Sequence, residues 1–157
     1  PGASGGIAWF DSVGVAHAVK MPVTDRDILN VLQPLARGTC SSAALEKVSA
    51  SQGRNPDGSM RIQGVASAFK FGMGYGGLRM ALTACEIPFD DVMPKKWQAE
   101  FGLLRLSKAE TITEKKNRHK AKAQQLFPLL TITHAIADAL LIAEWLRRRE
   151  LGKASDD

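Results

Sequence analysis

The sequence predicts an α/β domain, a small mixed sheet flanked by helices, on three observations. A strand–turn–strand pattern opens the chain, helical and strand segments then alternate, and the chain closes on a helix that is apolar on almost every side. The 157 residues fit one domain, 1–157, long enough to bury a core. Apolar content of 45% with 24% charged residues is that of a soluble globular protein.

The elements follow in order. Ile7 to Phe10 read as a strand, Asp11 to Gly14 as a turn and Val15 to Lys20 as the hairpin partner. Thr24 with Asp27 marks a helix start and Gly38 its stop, giving a helix over 25–37 that Pro34 either kinks or ends early. Ala43 to Val48 is a short strand, and Ser49 to Ser59 a loop rich in Gly, Pro, Asn, Asp and Ser. Gly64 to Cys85 reads as a helix interrupted at FGMGYGG, where four glycines in six positions weaken it by about 1 kcal/mol each. Such glycines suit a backbone that something approaches closely. Ile87 to Met93 is a strand closed by Pro94, and Lys95 to Phe101 a short helix. Thr111-x-x-Glu114 is a capping-box pattern for a basic helix reaching Leu126, ended by Pro128. The last helix covers 131–150, with Arg147, Arg148 and Arg149 in its final turns.

Charge and cysteine content narrow the function. The net charge of +5 leans toward a polyanionic partner once the charges cluster. Cys40 and Cys85 lie far apart without His or Cys at ligand spacing, so they read as free thiols rather than a zinc site or a disulfide. No signal peptide and no membrane-length apolar run is present, which predicts an intracellular protein with no membrane partner.

Three places carry candidate chemistry, each with a plain structural alternative. Asp138 lies in the apolar stretch Ala135 to Ala143. A carboxylate there is costly unless a cation meets it, so it is either a metal ligand or an early-helix acid favoured by the dipole. His134 sits one turn before it on the same face. Glu46, within LEKV, is either an exposed strand residue or a second site acid. The run Lys115, Lys116, Arg118, Lys120 and Lys122, with His119 inside it, has five basic residues in eight. Such a run is a solvated helix face or a grip on a phosphate backbone; His119 within it is catalytic, phosphate-binding or simply exposed. Lys70, Lys95, Lys96 and Arg79 add positive charge, and Phe71, Tyr75 and Trp97 add aromatics able to stack on bases.

With a strand ahead of Pro1, the element order would be that of the ribonuclease H fold. The segments PGASGGIAW, LEKV, FKFGMGYGG, VMPKKW, QQLFP and HAIADALLIA, in this order over almost the whole chain, resemble the RuvC-like Holliday-junction resolvases, and more narrowly the small bacteriophage type. The resemblance implies a cytoplasmic (bacterial host cytoplasm, if phage-encoded) homodimeric endonuclease. It would use no nucleotide cofactor and would cut four-way DNA junctions with two Mg²⁺ or Mn²⁺ ions held by carboxylates. It matches Glu46 to the second acid and Asp138 to the third. It sets His134 near a further ligand position, although here the spacing to the Asp is four rather than three. It also implies DNA contacts by Lys70, Lys95, Lys96, Lys115, Lys116, Arg118, Lys120 and Lys122. The first acid of the family lies on a strand directly before a Pro-Gly pair, and that strand is not in the sequence. Two alternatives remain: a broader flap, branched-DNA or RNA–DNA nuclease of the same fold, and a junction-binding protein without catalysis.

Overall fold

The computed structural model describes residues 2–38, 42–47, 64–107 and 109–156. The chain is a mixed α/β fold with four strands and five helices among these residues. Strands β1 (Gly6–Phe10) and β2 (Ala16–Lys20) form the expected hairpin, antiparallel with Gly6 opposite Lys20 and Phe10 opposite Ala16. The turn between them is built by Asp11, whose Oδ1 accepts from the backbone N–H groups of Val13 and Val15, and by Gly14 at φ 81°. Strand β3 (Ala43–Glu46) pairs in parallel with β4 (Phe89–Val92), Glu46 lying opposite Val92. Val48 and the 49–59 loop lie outside the described residues. Strands thus run in both orientations, but the sheet stands as two two-stranded pieces.

Five helices flank them. In α1 (Asp25–Arg37), Thr24 accepts from the Asp27 N–H as the N-cap. Pro34 lies inside this helix, which continues three residues beyond it. α2 (Val65–Ala84) is unbroken through its glycines, contrary to the expected interruption. Burial of Leu78, Ala81 and Leu82 offsets their low helix propensity. Among the described residues, the chain itself makes no close approach to most of these glycines. A Cβ on Gly72, Gly74 or Gly76 would meet nothing within 4 Å, and one on Gly77 only Asp25 at 3.6 Å. α3 (Pro94–Glu100) starts on Pro94, and α4 (Ile112–Leu126) on the complete Thr111/Glu114 capping box. α5 (His134–Asp156) runs on past the arginines, so Arg147 to Arg149 sit inside the helix rather than in its last turns.

The packing has three layers. Ala8, Phe10, Ala18 and Ala44 face a cluster built by α3, α4 and α5 around Trp97, Leu140 and Leu141. Ile7, Ala43, Leu45 and Phe89 face a second cluster with Ile28, Leu32, Leu78 and Leu82 of α1 and α2. The alternation of neighbouring residues between the two clusters places both sheets in one middle layer. Each fully buried large side chain in these clusters contributes roughly 1.5–3 kcal/mol. Gly6 lets the start of α5 close on β1: a Cβ there would lie 2.8 Å from the Val19 oxygen and 2.9 Å from the Ala135 oxygen. Cys85 is a free, half-buried thiol; Cys40 lies outside the described residues.

Candidate active site

Between the two sheets lies a cavity of about 580 Å³, lined by all of β1, all of β3 and the inward face of α5. Among the described residues, neither β1 nor β3 has a second strand partner. Glu46, Asp138, His134 and Lys116 all line this cavity. Register explains Glu46: it ends β3, one residue beyond Leu45, so its side chain leaves the face that Leu45 gives to the α1/α2 core.

The two acids are close enough to sense each other. Burial pushes the Glu46 carboxyl above its ordinary range, and the charge of Asp138 pushes it further the same way. The Trp97 indole donates to Glu46 Oε1 at 3.1 Å, and this bond, like the nearby charge of Lys115, favours the ionised form. Asp138 is half in water, its side chain 47% exposed, so the closing helix does not bury it as an apolar helix would. Its Oδ1 accepts from Nδ1 of His119 at 2.6 Å. His134 donates from Nε2 to Asn117 Oδ1 at 2.9 Å. Among the described residues, no three His, Cys, Asp or Glu side chains come together as one ion site.

The basic residues divide. Lys70, Lys95, Lys96, Lys116 and Lys120 are exposed, and Lys115 and Lys122 half-buried. Arg118 is engaged by Glu110 at 2.7 Å and by the Leu104 carbonyl, which holds its guanidinium against its own protein. Arg79 is likewise bound to Asp91 and packs over Tyr75 and Phe89. Of the aromatics, Trp97 is fully buried and cannot stack on a base; Tyr75 donates to Asp91, and Phe71 stays 39% exposed. Asp11 is taken up by the hairpin turn and by His17 at 2.9 Å.

Sequence reading missed the pairing of Trp97 with Glu46 and of His119 with Asp138. The signal lay in α4: His119, Ala123 and Leu126 fall at i, i+4 and i+7, one inward stripe inside the basic run. His119 is only 3% exposed, which removes the solvated-face reading for that residue.

No protein-family model matches the chain, and no curated protein matches it. Among solved structures, the chain is similar to Thermus thermophilus RuvC at TM-score 0.44 and 14% identity, covering 82% of this chain and 72% of that one. It is also similar to T. thermophilus RuvC in complex with Holliday junction substrate at TM-score 0.46 and 15% identity, covering 88% and 90%.

Proposed function

We propose that this chain is a ribonuclease H-like, metal-dependent endonuclease that resolves four-way or otherwise branched DNA, with Glu46 and Asp138 as metal ligands. The observation that carries this reading is the pairing of the two acids. Both line one cavity, and the charge of Asp138 raises the Glu46 carboxyl. Two carboxylates lining one cavity and sensing each other's charge are uncomfortable without a cation, and their hard oxygen donors fit Mg²⁺ or Mn²⁺. A bound pair of such ions would supply activation of the attacking water and stabilisation of the leaving oxygen.

The protein's own groups prepare the site. Trp97 orients Glu46, Lys115 offsets part of its charge, and Lys116 lies in the cavity beside the acids, where it would hold the phosphodiester. With its Nε2–H given to Asn117, His134 would offer Nδ1 to a metal. Lys95, Lys96, Lys120, Lys122 and Lys70 would extend the phosphate contacts; Arg118 would serve by ordering the start of α4 through Glu110.

The cavity itself supports one more strand. It separates two strands that, among the described residues, lack a second partner, and most of its lining is apolar. The Gly5 N–H donates to the Gly2 carbonyl at 2.8 Å, a turn that reverses the backbone just before β1. Backbone ahead of this turn would run back along the open edge of β1, join the two sheets and bring the family's first acid to Glu46 and Asp138. The exposed Phe69, Met73 and Met80 of α2 support a homodimer, which would place paired cuts symmetrically. Activity in the cytoplasm of a bacterial host, on recombination or repair intermediates, accords with this reading; among the described residues no helix is long and apolar enough to cross a membrane.

Glu46→Gln and Asp138→Asn in the full-length protein test the assignment. Each is expected to lower cleavage of a synthetic junction by at least about 100-fold while junction affinity changes less than about threefold. Cleavage retained by either variant would remove that residue from the site.

A further inference from the structure

The two acids are held by a second pair of side chains, and that pair is itself in contact. Trp97 donates to Glu46 at 3.1 Å, and His119 donates to Asp138 at 2.6 Å. The rings of Trp97 and His119 meet edge to face, with centroids 5.3 Å apart and planes at 75°. Trp97 is fully buried and His119 is 3% exposed, so each ring has its orientation fixed by packing from three different helices: Trp97 in α3, His119 in α4 and Asp138 in α5. Nε2 of His119 is buried without a hydrogen-bond partner among the described residues. A fold that leaves a buried polar atom bare gives up free energy. Something else must therefore recommend an imidazole at this position over an apolar side chain of similar size.

We propose that Trp97 and His119 are positioning residues that together set the distance and direction between the Glu46 and Asp138 carboxylates. The aromatic pair is one rigid unit with a hydrogen-bond donor at each end. One donor fixes an acid at the end of β3; the other fixes an acid on α5, with its second oxygen left for the cavity. Because the carboxylate can only accept, its bond selects the imidazole tautomer with the proton on Nδ1 and leaves Nε2 as the bare atom. The same contact would hold Asp138 in one orientation although half of its side chain is in water. Neither Trp97 nor His119 reaches substrate in this arrangement; they act through the acids.

This inference rests on the metal-site reading above, and the experiment separates the two. Mn²⁺ binding to the full-length protein is measured by the electron paramagnetic resonance of the free ion, alongside thermal melting. The variants are His119→Leu, His119→Asn, Trp97→Phe, Glu46→Gln and Asp138→Asn. His119→Leu and Trp97→Phe are expected to weaken Mn²⁺ binding about 10–100-fold, the usual effect of removing an outer hydrogen-bond partner of a ligand. His119→Asn keeps an N–H near Nδ1 and is expected to recover affinity to within about fivefold of wild type. Wild-type affinity in His119→Leu or in Trp97→Phe, with weakened binding in the two acid variants, overturns the positioning role alone. A folded His119→Asn that binds as weakly as His119→Leu also overturns it, since shape rather than the donor would then be at work. If His119→Leu does not fold, Trp97→Phe and His119→Asn decide the matter by the same criteria. Wild-type affinity in both acid variants overturns the positioning role and the metal site together.

Discussion

Single carboxylates in this chain have opposite fates, set by what lies within hydrogen-bond reach. Glu46 is raised by burial and by a like charge. Burial also acts to raise Glu144, but the guanidiniums of Arg147 and Arg148, bonded to it at 2.8 Å, outweigh burial and hold it below its ordinary range. A lowered acid contributes stability above its unfolded value near 4.5 and loses it as pH falls through the depressed folded value. Glu144→Gln is therefore expected to cost about 1 kcal/mol at pH 7, where its arginines are half in water. The cost should shrink toward zero at pH 3 in urea denaturation. An equal cost at both pH values would show that packing, not charge, holds this site.

At the scale of elements, the site depends on how closely α5 approaches β1. Gly6 permits that approach, because any Cβ would press on the backbone of β2 and on the first turn of α5. Gly6→Ala is expected to destabilise the fold by about 1–3 kcal/mol, the range for overfilled positions. That corresponds to a fall in Tm of roughly 2–12 °C for a chain of this size; an unchanged Tm would mean that α5 is free to slide. Elements with strong local signals were legible in the sequence. The hairpin, the Thr24 and Thr111 caps and the Pro94 and Pro128 boundaries appear where turn and capping chemistry put them. The continuity of α2 was not legible, because its glycines carry the local cost while the offsetting burial of Leu78 and Leu82 comes from α1 and β3, distant in sequence. Of the site, Glu46 and Asp138 stood out as acids in apolar segments. Their partners Trp97 and His119 did not, since hydrogen bonds across 51 and 19 residues leave no mark in local spacing.

For the whole molecule, the proposed function has charge and cavity serve one substrate. Lys115 and Lys116 stand at the acids, whereas Lys120 projects from the same helix into solvent. Replacing Lys115, Lys116 and Lys120 together by Gln is expected to weaken binding to branched and linear DNA alike. The slope of log affinity against log salt should flatten by about 0.9 for each phosphate that is no longer neutralised. An unchanged slope would take α4 off the DNA surface.

The most direct measurement is cleavage of a synthetic four-way DNA junction by the full-length protein. Mg²⁺ is supplied or removed with chelator, and a linear duplex and a flap are run in parallel. Paired symmetric nicks in the junction alone, abolished by the chelator and restored by Mn²⁺, are the result expected of a carboxylate site that acts on branched DNA. Tight junction binding with no metal-dependent cut under any of these conditions would contradict it, and would make the chain a junction-binding protein.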